Sequence, residues 1–213
     1  MLGANSPVRI YASGTSVSAF DILQTYLRAR AEFTEAEFDF IRTMFISRLL
    51  RAGEPLQRAG EVAKYAAFVA KGCLRSYVID SKGKEHVVQF APENWWLADN
   101  ISLSTRTRSQ YFFDAIEDSE VLLIDPPSHE AIVEKISGYA AAFRRGLQRH
   151  AAAKDQRIVN SLATTAEERY LDFLATYPSI SARVPQWMLA SYLGVSPETI
   201  SRIRKKLARK SSR

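Results

Sequence analysis

The sequence predicts an α+β protein: an N-terminal jelly-roll β-domain, a long helix, and a C-terminal helix-turn-helix. Three observations carry this. Between about 54 and 125, short apolar runs alternate with glycine-containing turns, the texture of a sandwich or roll of short strands. From about His129 to Ala163 the chain is free of proline, rich in alanine, and apolar at spacings of three and four. Two short helical segments, separated by Gly194 and Val195, come near the end.

Residues 1–20 read as a flexible arm. Met1 to Thr15 has one basic residue, Arg9, and no continuous apolar core, so a signal peptide is not expected. The β-domain is expected over 21–128. Asp21 to Leu27 and Glu35 to Phe45 open it as helices, the second capped by Thr34, with Phe38, Ile41, Phe45 and Leu49 at helical spacing. Ala66 to Ala70 is a strand ending at Lys71-Gly72. Cys73 to Asp80 and His86 to Phe90 form a hairpin about the Ser81-Lys82-Gly83-Lys84 turn. Tyr111 to Phe113 and Val121 to Ile124 supply two further strands, and Pro126-Pro127 closes the region.

Residues 129–164 are expected to form one helix of roughly 45 Å, striped by Ile132, Ile136, Tyr139, Phe143 and Leu147, then by Ile158 and Leu162. Such length suits a dimerisation seam; packing on its own β-domain is the alternative. Residues 165–213 make the last domain. Thr165 and Glu168 match a capping box, and Tyr177-Pro178 ends that helix.

Charge is unevenly placed. Residues 1–130 hold 14 Lys/Arg and 17 Asp/Glu, a net of −3, whereas residues 131–213 hold 15 and 6, a net of +9. No acid follows Glu198, while Arg202, Arg204, Lys205, Lys206, Arg209, Lys210 and Arg213 do. A one-sign cluster is the footprint of a polyanion partner. The lone Cys73 excludes an intramolecular disulfide, and His86, His129 and His150 share no ligand spacing, so no metal is expected. These facts fit a cytoplasmic protein, and no apolar run is long enough to span a membrane.

Gln186 to Leu193 forms the first helix of the motif. Gly194 follows, where a left-handed helix end needs no Cβ. Ser196 is an N-cap, Pro197 the first helical residue, and Glu198 lies in the first turn. Leu189, Leu193, Val195, Ile200, Ile203 and Leu207 can meet inside the corner. Ser196, Glu198, Thr199, Ser201, Arg202 and Lys205 then face outward, where a recognition helix meets base edges. Arg202 suits guanine and Glu198 suits cytosine. Lys205, Lys206 and Arg209 suit phosphates. The expected partner is double-stranded DNA.

The run Leu193-Gly194-Val195-Ser196-Pro197-Glu198-Thr199-Ile200-Ser201-Arg202 resembles the recognition motif of the Crp/Fnr regulators, most closely the Fnr-like version. The run from Phe68 to Tyr77 and Gly83-Lys84-Glu85 resemble the effector-domain hairpins of that family. The resemblance implies a cyclic-nucleotide-binding-like β-domain and a bacterial homodimeric regulator, with RNA polymerase as a further candidate partner. It places Glu198, Ser201 and Arg202 at base-reading positions over a TGA-like half-site. Three departures stand out. Trp95-Trp96-Leu97-Ala98-Asp99-Asn100 replaces the Gly-Glu-Leu run of the nucleotide pocket, and Ser109-Gln110 lacks the phosphate-binding arginine, with Arg108 one place early. Cyclic AMP is therefore not expected, nor any cofactor. The cysteines of an iron–sulfur sensor are absent. Only a basic tail follows the recognition helix, so a full β-hairpin wing is not expected. An unidentified small-molecule effector has Trp96, Arg108, Ser109 and Tyr111 as its candidate pocket; core packing is the alternative for these aromatics. No catalytic motif is present. The rival to a DNA reader is a ligand-sensing or interaction module of the same fold.

Overall fold

The computed structural model describes residues 17–211. The arm expected over 1–20 lies outside this range except for its last four residues. There the chain is already ordered: Ser18 caps helix α1 (Ala19–Arg28) in a reciprocal capping box with Asp21. Thr34 and Glu37 form a second box at the start of α2 (Glu35–Thr43).

The chain then enters a two-sheet antiparallel sandwich. Strands β1 (Ile46–Leu50), β2 (Pro55–Gln57), β3 (Ala66–Lys71), β4 (Leu74–Ile79), β5 (Glu85–Ala91), β6 (Trp96–Leu97), β7 (Phe112–Ala115) and β8 (Ser119–Ile124) form sheets of order β1-β8-β3-β6 and β2-β7-β4-β5. A short helix, α3 (Asn100–Thr105), interrupts the strands after β6. Alternation along β3 sets the layers. Ala67 and Val69 point between the sheets with Leu50, Leu74, Leu97, Phe113 and Val121. Phe68 and Ala70 point the other way, onto Leu23, Leu27, Phe38 and Ile41 of the N-terminal helices. Gly72 holds the β3–β4 turn at φ +89°, and a Cβ there would lie 2.3 Å from Ser119 Oγ, so no other residue fits.

Two sequence expectations are corrected here. Phe45 and Leu49 do not extend the second helix; Met44 caps it and Ile46–Leu50 pairs with β8 as β1. The expected single long helix is two: α4 (Pro126–Lys135), capped by Asp125, and α5 (Ser137–Ala163). Ile136 separates them in extended backbone (φ −127°, ψ 97°) and buries its side chain beside Ile132 and Tyr139. The first part of the stripe packs on the chain's own β-domain, while Ile158, Val159 and Leu162 stay exposed. Helix α5, 27 residues, runs for about 40 Å to Thr164. Beyond it come α6 (Ala166–Thr176), α7 (Gln186–Leu193) and α8 (Pro197–Ser211). Among the described residues no helix is long and apolar enough to cross a membrane.

One buried charge centre stiffens the second sheet. Arg75 on β4 is 6% exposed and donates to Asp114 through Nε (2.7 Å) and a terminal nitrogen (2.9 Å), and to Glu85 (2.7 Å). Its guanidinium also stacks over Tyr77 and reaches the Trp187 ring of α7. Removing one partner of a buried pair leaves a charge without its counter-charge. We predict that Asp114→Ala costs about 3 kcal/mol in urea denaturation; a loss below ~1 kcal/mol would mean that Glu85 alone neutralises Arg75.

Candidate nucleic-acid interface

The helix-turn-helix forms as its residues dictate. Gly194 ends α7 at φ +67°, and its N–H bonds back to Ala190 and Ser191. Nothing lies within 4 Å of a Cβ built there, so the left-handed backbone alone demands glycine. Val195 N–H reaches Ala190 O at 3.0 Å, closing the turn. Ser196 Oγ accepts from Thr199 N–H at 3.3 Å. Leu189, Ile200 and Ile203 are buried in one cluster with Tyr170, Phe173 and Ile180, and Val195 and Leu207 pack against it.

Burying Ile200 and Ile203 turns the opposite face of α8 outward. Ser196, Glu198, Arg202, Lys205 and Lys206 are exposed; Thr199 and Ser201 are half-buried. All seven predicted residues thus belong to α8 and its cap, but they are not equivalent. Arg202 donates to Thr199 Oγ1 at 3.0 Å, which steadies its guanidinium on the outer face. The Ser196 hydroxyl at the helix start holds the Glu198 carboxyl below its ordinary range, with Arg202 a lesser cause. Lys206 pairs with Glu167 of α6, so it also braces the domain. Ser201 accepts from Gln186 Nε2 (3.2 Å), which also donates to Pro197 O (2.6 Å). Gln186 is a positioning residue that sequence reasoning missed; its place at the first turn of α7 was the only signal.

How this head sits on the β-domain is decided by contacts that no local sequence signal announces. Phe90 packs against Phe173, Tyr177 and Tyr192, and Trp95 against Tyr177. Arg183, between α6 and α7, donates to Glu93 (2.8 and 3.0 Å) and to Glu117. These carboxylates raise the Arg183 pKa. Burial works to raise Glu93, yet Arg183 together with backbone N–H groups of Glu93 and Gly72 holds the carboxyl below its ordinary 4.5.

The candidate effector residues do not share one site. Trp96 lies on the outer face of its sheet, among Phe45, Phe68 and Phe143. It lines a cavity of about 60 Å³ with Tyr26, Gln89 and Tyr139. Ser109 is buried and accepts from Gln57 Nε2 at 2.8 Å; the same amide donates to Tyr111 O. Arg108 is exposed and bridges to Val62. Asp99, 7% exposed, caps α3 with its own carboxylate, accepting from Ser102 N–H. The one buried arginine among the described residues, Arg75, is already matched by two carboxylates. A cyclic phosphate at the α3 N-terminus would meet the Asp99 carboxylate, while Arg108, the cation of the candidate set, lies on the surface; these residues do not fit it.

The architecture is a cyclic-nucleotide-binding-type sandwich joined by a helix to a helix-turn-helix head. Residues 47–135 match the cyclic nucleotide-binding domain family. Solved structures then specify the whole: the chain has the Crp/Fnr regulator fold. It is similar to FixK2 from Bradyrhizobium japonicum (20% identity, 78% of this chain and 86% of that one, TM-score 0.67). It is also similar to the catabolite activator protein of Thermus thermophilus (21%, 84% and 85%, TM-score 0.52). A Eubacterium rectale protein described as a Crp/Fnr-family transcriptional regulator gives 17%, 84% and 85%, with TM-score 0.60. No curated protein sequence matches the chain.

Cys73 reports on the docking. It sits in the cluster shared by sandwich and head, and burial pushes its thiol up to about 12. A group protonated at neutral pH and sealed from solvent does not react. We expect Ellman's reagent to label it only as fast as the protein opens, and Arg183→Ala to speed labelling at least ~10-fold, since a lost 1.4 kcal/mol is tenfold in an opening equilibrium. Because the Glu93 pKa is lowered by docking, its contribution is complete above 4.5 and is lost as pH falls through the lower folded value. Labelling kinetics unchanged in Arg183→Ala would show that apolar packing alone holds the head.

Proposed function

We propose that this chain is a DNA-binding transcription regulator that acts as a homodimer in the cytoplasm. The observation that carries the proposal is the face of α8: Ile200 and Ile203 anchor it inward while Glu198, Arg202 and Lys205 stand outward at its N-terminal half. The dimension that inserts into a major groove is a helix presented in this way. Arg202 reads a base, guanine being the best match for its fork. Glu198 and Ser201 read beside it, Thr199 orients Arg202, and Ser196, Lys205 and Lys206 hold phosphates.

Dimerisation is the natural use of the second half of α5. Ile158, Val159 and Leu162 are 60%, 53% and 83% exposed, a stripe with no partner in one chain among the described residues. Pairing it with a second copy would set two α8 helices about 34 Å apart, one helical turn of DNA. We expect Leu162→Glu to leave the fold intact, since the residue lies on the surface, and to shift the sedimentation profile to monomer. A dimer that survives this substitution would move the seam elsewhere.

The β-domain serves as a sensor or scaffold without cyclic AMP, because its polar interior is closed by Gln57, Ser109 and Asp99. RNA polymerase is the partner through which a promoter-bound dimer would act.

Selection of binding sites from random duplex DNA, with purified protein near 0.15 M salt, tests the reading. A two-fold palindrome supports it; general, salt-sensitive binding without enrichment overturns it in favour of an interaction module. On the selected site, Arg202→Ala should cost roughly 1–3 kcal/mol and relax one base position. Lys205→Ala should weaken all DNA about equally and reduce the salt slope by about one. Uniform loss in Arg202→Ala would remove it from base reading.

A further inference from the structure

A cavity of about 280 Å³ lies where α5, α6 and α7 converge, just before the turn into α8. Its lining divides by chemistry. Phe173, Tyr177 and Tyr192 supply an aromatic floor, the first two buried. Two guanidiniums stand on the walls, Arg157 from α5 and Arg169 from α6. Arg157 donates to the carbonyls of Val88, Val87 and Tyr192, and its plane lies over the Tyr192 ring at 4.0 Å. Arg169 donates to Leu193 O at 3.1 Å and Thr164 O at 2.6 Å. All five acceptors are neutral. Among the described residues neither arginine forms a salt bridge. The one carboxylate on the lining, Asp172, accepts from Asn160 Nδ2 at 2.7 Å.

A guanidinium carries five N–H donors. The bonds above use three on Arg157 and two on Arg169, so each keeps N–H groups for a further acceptor. Two half-buried cations that form no ion pair, beside an aromatic floor, describe a ligand with two parts. Its anionic end takes the forks, for which a planar carboxylate is the geometric match. Its flat apolar body lies on the rings. The volume is close to the lower end of small-molecule pockets, roughly 300 Å³, which limits the body to one or two fused rings.

We propose that this cavity binds a small aromatic carboxylate, held between Arg157 and Arg169 over Phe173, Tyr177 and Tyr192. The two arginines lie on opposite sides of the Thr164 junction, and the cavity wall ends at Gly194. A ligand bridging them fixes the angle between the long helix and the head. The site stands on its own geometry and holds whether or not α8 reads DNA; in a DNA reader it would couple to the operator, each ligand changing the other's affinity by the same factor.

Isothermal titration of the full chain with indole-3-carboxylate, and with indole as its neutral counterpart, tests the site. The carboxylate should bind one per chain and at least about 10-fold tighter than indole, a difference of about 1.4 kcal/mol. Arg169→Gln should erase that preference. Thr176→Glu, an exposed position on the lining, keeps both arginines and their carbonyl bonds; it should weaken the carboxylate about 10-fold and leave indole unchanged. Equal binding of the two probes, a preference that survives both substitutions, or no heat with either probe at about 5 mM overturns the proposal.

Discussion

The strand β5 lies at the edge of its sheet, and its outer backbone groups need partners that no other strand provides. The chain meets that constraint with the domain that follows. Ser191 of α7 accepts from Val87 N–H at 2.9 Å and donates to Glu85 O at 3.1 Å. Arg157 of α5 takes the carbonyls of Val87 and Val88. Helices therefore close the edge where a further strand otherwise would. Each unmade bond at a buried edge costs about 1–3 kcal/mol, so undocking the head requires water to replace both Ser191 bonds at once and also exposes Phe90 and Cys73. The position of α8 follows from this: α7 is fixed by the edge, and α8 is fixed by α7.

That chain of dependence explains why α7 is so apolar on several sides. Leu189, Ala190 and Leu193 are buried in the cluster that holds Ile200 and Ile203, Ser191 and Tyr192 meet β5 and α5, and Trp187 meets Arg75. Gln186 remains to grip the start of α8. A helix of eight residues thus contacts β4, β5, α5 and α8, and such short elements have little stability of their own. Its geometry is supplied by tertiary contacts, which makes the orientation of α8 responsive to whatever occupies the space between α5 and α6.

The sequence was most legible where the signal is local. Gly194, Ser196 and Pro197 set backbone conformations within a few residues, so the turn, its caps and the outward set of α8 could all be read directly. The β4–β5 hairpin was legible for the same reason. Reading failed where a distant partner decides. Phe45 and Leu49 continue a helical spacing, but pairing with β8 draws residues 46–50 into a strand. Ile136 fits the helical stripe, yet the pocket beside Ile132 and Tyr139 is filled from an extended backbone. Arg108 and Ser109 are neighbours in sequence, yet in the connection before β7 Arg108 lies in an isolated bridge at the surface and Ser109 is buried on Gln57. Arg157 and Arg183 look like ordinary surface cations in a basic region; only the docked structure shows one closing a sheet edge and the other meeting Glu93 and Glu117.

Those two arginines bear on the electrostatics of the head. The first 130 residues carry a net −3 and the remainder +9, so docking the head on the acidic domain sets its outward positive charge against the acids of that domain. The geometry avoids this. The acids of the β-domain that touch the head, Glu93 and Glu117, engage Arg183 on its inner side. On α8 itself, Arg204 turns inward to the Tyr170 hydroxyl at 3.0 Å and Lys206 pairs with Glu167. Arg202 and Lys205 remain exposed and have no salt bridge among the described residues. Coulomb attraction in water falls to about 1 kcal/mol at 4 Å and is screened beyond about 8 Å at physiological salt. Local arrangement therefore outweighs net charge: the cation that meets the acids of the β-domain, Arg183, is not one of those exposed on the outer face of α8.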